Sequence, residues 1–408
     1  MSFFNGFVMD IIPSRAAAVN RVMRRKEHRI FRAAIAFHPL PCYDTSRIIP
    51  ADITAREACK MTCTPRFLFR ETFAALNAGG YVEYRIPGIV VTAQGTLIAC
   101  CEGRMATNDD WARIDTLICR RGQNESAWTR TVIALPASMG GTDNDCTNNP
   151  TLIADGDLMH LIFHQNYARA FHCVSQDDGR TWSQPVEITD TFRAFPMAWN
   201  VCATGPGHGL RLRSGRLIAP VWLADGKRID DRRIAHQPSC AGCIWSDDHG
   251  KTWHTGALAE GIFDGNETCL AELPDGRVLF NIRNRENDLH RRIAVSDDSG
   301  ETLGPAVMCE SLPCPQCFAG MAVLPDGSVA YAGCINNGDV TPADPRGRIN
   351  AAVCVSSDAG QTWQKLIHID DIGGYCDIAV HDNHLYVLYE QTVQGKIARM
   401  MLACYELT

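Results

Sequence analysis

Four cysteines stand in two Cys-x-x-Cys pairs, Cys240/Cys243 and Cys314/Cys317, a spacing by which thiolates can grip zinc. About 70 residues separate the pairs, and no histidine pair accompanies them at finger spacing, so they read as strand-end cysteines. The chain has no His-Glu-x-x-His, no EF-hand loop and no Gly-rich phosphate cradle ahead of a helix. No metal site is convincing, and no cofactor is expected.

The elements that must carry any chemistry are set by composition. The chain has 408 residues, 46% hydrophobic and 21% charged, as in a soluble globular protein with one large domain and an extension. The net charge of -7 makes nucleic acid a poor partner, and an acidic ligand would need a locally basic pocket. No apolar run approaches the ~20 residues of a membrane span. The start, MSFFNGFVMDII, makes a poor signal peptide. The 19 cysteines are odd in number, and many fall inside apolar runs, where free Cys behaves as a small hydrophobe. A reducing compartment, the cytoplasm, is the expected location, with secreted or periplasmic as the alternative.

Residues 1–65 form an N-terminal extension. Ser14 could cap a basic amphipathic helix over 15–35, carrying Arg21, Arg24, Arg25, Lys26 and Arg29; a solvated, partly disordered extension is the preferred reading. From 66 to 408 short apolar runs alternate with Asp-Gly and Ser-Gly turns, as in TLIADGDLMHLIFH and CLAELPDGRVLFNI. No helical period interrupts them, so the domain is all-β.

A repeat, Ser-x-Asp-x-Gly-x-Thr-Trp, starts at Ser175, Ser246 and Ser356, and a near copy at Ser296 has Leu303 in place of Trp. A decayed copy ends at Trp128, with room for one more before Ser175. The Asp side chain bonds loop N–H groups, Gly takes a positive φ, and Trp fills the space between sheets. Spacings of roughly 50 to 70 residues suit propeller blades and predict six of them. The last strand, ARMMLACYEL, is expected to close the ring with RFLFRETF.

These repeats resemble the Asp boxes of the sialidase (neuraminidase) superfamily. The resemblance sharpens at Tyr84-Arg85-Ile86-Pro87, GTLIACCEGR, DDWARIDTLICRR, GNETCLAELPDGRVLFNIRN, YCDIAV and the following LYE, in family order over about 66–408. It implies a six-bladed β-propeller and an exo-α-sialidase acting on terminal sialic acids of glycans. It implies further that Arg85, Arg283 and Arg348 hold the substrate carboxylate, with Glu390 steadying the first. Arg346 competes with Arg348, since both would face one side of a strand.

The resemblance makes Tyr375 the nucleophile and Glu267 its base. A carboxylate nucleophile would be repelled by the substrate's own carboxylate, and sialidases depart from the two-carboxylate rule. Gly373-Gly374 would give room for ligand. Asp110 would be the general acid, with Asp109 its neighbour and competitor; Arg113 departs from the family pattern and could alter the acid. Arg104 would line the pocket or pair with Glu102 or an Asp. Asn149, Trp199, His208 and Gln237 are candidate contacts to the rest of the sugar. Two further readings stand: a sialidase-fold enzyme for a deaminated or modified nonulosonic acid or for sugar transfer, and a non-catalytic glycan-binding propeller.

Overall fold

The computed structural model describes residues 65–408, apart from 76, 107–108, 287–288, 337, 340–345 and 394–395. The extension's expected helix lies outside them. By its contacts the chain divides into Met1–Lys60 and Met61–Thr408. No helix among the described residues is long and apolar enough to cross a membrane.

Among the described residues six sheets follow one another, each a blade, antiparallel but for the short parallel pairing of Gly207–His208 with Thr151 and Leu152. Blade I runs Glu83–Val91, Leu97–Arg104, Ile114–Arg121, Thr129–Ile133. Blade II begins at Thr147–Asp155 and ends at Val186–Glu187. Blade III is built on Val201–Thr204, Leu217–Ala224, Ser239–Ser246 and His254–Leu258. Blades IV and V open with Thr268–Glu272 and Gly320–Val323. Blade VI takes three strands from the C-terminal end, Cys376–His381, His384–Val393 and Lys396–Leu407, and its fourth, Pro65–Ala75, from the start of the domain. Phe67 pairs Tyr405 in that closure, and their rings meet at 5.7 Å. The expected ring closure is therefore present, and it leaves no free edge between first and last blades.

The core lies between blades. Ile98, Leu152 and Phe163 pack blade I on II; Ile153, Leu217 and Ile244 pack II on III; Val353, Ile378 and Val387 pack V on VI. Each box residue plugs the layer toward the preceding blade. Trp182, Trp253, Leu303 and Trp363 do so for blades II to V, and Trp128 for blade I, against Phe73 at 5.0 Å. Blades I and II are adjacent, so no further copy lies between Trp128 and Ser175. The long interval from Ser175 to Ser246 instead holds the connection into blade III, with a short helix, Thr189–Arg193.

In the box at Ser246 the carboxylate of Asp248 accepts from Thr252 N (2.9 Å), Thr252 Oγ1 (2.7 Å) and Ser246 Oγ (2.8 Å). Gly250 sits at φ 75, following His249 at φ 58. All four boxes join the third strand of a blade to the fourth. Antiparallel order thus puts them at one end of the channel, and the starts of the innermost strands at the other.

The described cysteines are free thiols and nearly all buried. Cys240 and Cys243 lie three apart in one strand, Ser239–Ser246, which sends them to opposite faces. Cys243 donates to Gly300 O and Cys240 to Ala259 O, both at 3.3 Å.

Candidate active site

The innermost strands begin around one mouth of the channel, and two of them begin with a bulge. In blade I the pairing slips between Arg85 and Gly88, and Ile86 adopts φ 60. In blade II it slips between Asn148 and Thr151, and Asn149 adopts φ 50. A positive φ at a β-branched residue costs about 1–3 kcal/mol and persists only where the surroundings hold it. Here Glu390 Oε1 holds Ile86 N at 3.0 Å. The bulges re-aim Arg85 and Asn149 into the mouth.

That mouth is a cavity of about 250 Å³ lined by Arg85, Asp110, Glu267, Arg283, Arg348 and Tyr375, among others. Three guanidiniums ring the Tyr375 phenol, with Arg348 at 5.1 Å, Arg85 at 5.2 Å and Arg283 at 5.9 Å from the ring centre. Tyr375 Oη donates to Glu267 Oε1 at 2.6 Å and accepts from Arg283 Nη1 at 2.7 Å. Arg283 also pairs with Glu267. Burial pushes the phenol's pKa up, and Glu267 adds to this, while Arg283, Arg348 and Arg85 oppose it. The phenol is therefore neutral at ordinary pH.

Glu390 sits behind the ring of arginines, fully buried. It accepts from Arg85 Nε (2.9 Å), Ile86 N (3.0 Å) and Tyr375 N (3.0 Å). One carboxylate thus fixes an arginine and the tyrosine to the same point. Burial raises its pKa, but Arg85 and these N–H groups more than offset that and hold it below the usual value. Gly374 makes room for Glu390 rather than for ligand: a Cβ there would lie 2.6 Å from Glu390 Oε2, and one at Gly373 would lie 2.9 Å from the Cys334 sulfur.

Asp110 faces the pocket with its side chain half exposed, 2.9 Å from Arg104. Burial raises its pKa, and Arg104, Arg85 and His236 together bring it below the ordinary carboxylate value. Arg104 does not line the cavity. It is buried beneath it, tied to Glu102 at 2.7 Å and to Asp110. Asp109 turns away and accepts from Trp111 N at 2.9 Å, shaping the turn. Arg113 reaches toward Asp115, at 3.9 Å.

Asn149 lines the pocket. Three other candidates do not. His208 pairs with Asp377 at 2.8 Å inside the channel and lines a separate cavity of about 530 Å³ at the far end. A two-residue strand, Gly207–His208, carries it there by pairing with blade II. Trp199 packs on the helix of blade III and donates to Phe192 O at 2.8 Å. Gln237 donates to Asp264 Oδ2 at 2.9 Å, and its neighbour His236 takes the place in the wall.

Part of the cavity's wall carries no motif in the sequence. His236 packs among Tyr167 (4.6 Å), Trp222 (5.1 Å) and Trp111 (5.5 Å). His236 Nε2 and Trp222 Nε1 are buried without hydrogen-bond partners. Arg285, Arg346 and Asn266 also line the cavity. For Arg285 there was a signal, since it lies two residues from Arg283, while Arg346, the competitor of Arg348, lines the cavity together with it. The aromatic wall had none, because its residues come from separate strand ends.

This geometry defines a class: a six-bladed propeller whose channel mouth presents converging guanidiniums and a hydrogen-bonded tyrosine–glutamate pair to an anion. The chain belongs to the BNR repeat-like domain family, whose model matches residues 95–387. It is 29% identical over 273 residues to an exo-alpha-sialidase of Arthroderma benhamiae, covering 58% of this chain and 59% of that one. It is 28% identical over 364 residues to a sialidase of Micromonospora viridifaciens, covering 82% of this chain and 54% of that one. The chain thus spans little more than half the length of these curated relatives. A Hadza microbial sialidase superposes with a TM-score of 0.69 at 22% identity, over 83% of this chain and 68% of that structure, a likeness that carries the fold.

Proposed function

We propose that this chain is a retaining exo-acting sialidase that releases a terminal α-linked sialic acid from a glycan. One observation carries the reading: a tyrosine hydroxyl bonded to a buried glutamate at 2.6 Å, inside a ring of three arginines. A sugar whose anomeric carbon bears a carboxylate suits this arrangement. The guanidiniums take the carboxylate, and a neutral nucleophile avoids its repulsion.

Arg85, Arg283 and Arg348 seat the carboxylate, which brings the anomeric carbon over Tyr375 Oη. Glu267 takes the phenol proton as the Tyr375 oxygen bonds to that carbon. The glycosidic C–O bond breaks, and Asp110 donates its proton to the leaving oxygen. In the second half Asp110 takes a proton from water, the water oxygen displaces Tyr375, and Glu267 returns the phenol proton. Asp110 must be protonated at the outset, yet Arg104, Arg85 and His236 hold its pKa low. Substrate binding corrects this in part, because the incoming carboxylate neutralises Arg85, one of the groups that depress it.

The test is release of 4-methylumbelliferone from its α-N-acetylneuraminic acid conjugate between about pH 4 and 8. Tyr375→Phe is expected to lose on the order of 10³-fold or more in kcat/KM. A variant as fast as the parent sinks the assignment of the nucleophile. A folded parent with no turnover sinks the reaction.

A further inference from the structure

Arg285 is a cation that the steps above leave unused. It follows Arg283 by two residues beyond the strand Val278–Ile282, and both line the pocket. It is not one of the three guanidiniums set against the Tyr375 ring. It lies toward blade III, where its backbone N–H donates to Phe263 O at 3.4 Å and its charge is felt by His236. Its Nε is buried without a hydrogen-bond partner.

The carboxylates around it are already engaged. Asp264 accepts from Ser239 N at 3.0 Å and Gln237 Nε2 at 2.9 Å. Glu267 serves Tyr375 and Arg283. Burial, and then Arg283, push the Arg285 pKa down from its ordinary value. Asp264 and Glu267 offset this only in part, and neither bonds the buried Nε, so the guanidinium is held against its hydration. One carboxylate is already matched by three arginines, so a fourth that does not face the Tyr375 ring suits a second anion.

Building on the sialidase reading, we infer that Arg285 receives a second oxyanion of the substrate, beyond the anomeric carboxylate. Two sources offer that chemistry: the carboxylate of a leaving sugar that is itself acidic, and a sulfate ester on the released sugar. Either would make a charge-assisted, two-pronged contact with Arg285 in the same pocket as the triad.

The test is calorimetric binding to Tyr375→Phe protein, which lacks the reacting hydroxyl, with and without Arg285→Gln. The ligands are sialyl-lactose with one carboxylate, disialyl-lactose with two, and O-sulfated sialyl-lactose. At least one dianionic ligand is expected to bind about tenfold tighter than the monoanionic one. Arg285→Gln is expected to erase that gap and Arg285→Lys to keep part of it; the ligand that shows the gap identifies the source. Equal affinities overturn the inference. So does a gap that survives Arg285→Gln, or an equal loss for all three ligands, which would mean that Arg285 meets hydroxyls. The readout is binding, so a parent that binds sialosides without hydrolysing them defeats the enzymatic reading and leaves the gap to be judged. Protein that binds none of the three overturns both.

Discussion

At the scale of single residues, Glu390 does the most with the least. Three donors from two blades meet on it, and none of its side chain is exposed. Replacing it by Gln removes the charge that compensates buried Arg85. Breaking a buried pair on one side costs about 3–5 kcal/mol, far more than the pair's net worth. Glu390→Gln is therefore expected to lower unfolding free energy by about that amount in urea titration; a change under about 1 kcal/mol would show that the carboxylate does not organise the site. The Glu390 pKa is depressed, so its stabilisation is present above the ordinary carboxylate range and is lost as pH falls through the lower folded value. Gly374→Ala tests the same point from the backbone. The added methyl would meet Glu390 Oε2 at 2.6 Å and is expected to cost about 1–3 kcal/mol while displacing Arg85.

At the scale of elements, the blade divides its labour by direction. Innermost strands start at the pocket and third strands end at the boxes, so a box can be damaged without touching the chemistry. Asp248→Ala removes three hydrogen bonds from an exposed loop. It is expected to cost about 1 kcal/mol, seen as a lower melting temperature, with KM for the fluorogenic sialoside unchanged. A shift in KM would mean that strain passes along the blade. The bulges at Ile86 and Asn149 are the opposite case, local irregularities that serve the pocket.

At the scale of the whole molecule, the layers between blades bury polar groups as well as apolar ones. Blade II hides His160, His164 and His172. His164 Nε2 accepts from Thr204 N at 2.8 Å, so it must stay neutral, and burial takes its pKa down to about 3. Burial, then His160, takes His172 to about 3 as well. The unfolded chain protonates these rings near pH 6.5 and the folded one does not, so stability falls as pH drops from about 6.5 toward 3. Each such ring contributes a slope of about 1.4 kcal/mol per pH unit. Urea unfolding between about pH 7.5 and 4.5 should show this decline, and His164→Gln should flatten it by about one ring's share. An unchanged slope would place the acid sensitivity elsewhere.

How much of this could be read in advance follows from how far each feature reaches along the chain. The boxes were legible because Ser, Asp, Gly and Thr satisfy one another within a single turn, and the six blades followed from their recurrence. Arg85, Asp110, Glu267, Arg283, Arg348, Tyr375 and Glu390 were legible because each sits in distinctive neighbouring text. His208, Trp199 and Gln237 were placed in the pocket and lie outside it, because a two-residue strand, a helix contact and a one-residue difference in loop register decide where they point. Tyr167, Trp222 and His236 carry no local pattern and meet only when blades II and III stand side by side.

The sequence by itself determined the repeating hairpin, its turn chemistry and the inventory of reactive side chains, since those depend on residues close along the chain. Only the tertiary structure decided which of them face one another. Arg85 and Glu390 are 305 residues apart and touch because the first and last strands share a blade and close the ring. Arg285, from blade IV, lines the same cavity with its Nε buried and without a hydrogen-bond partner.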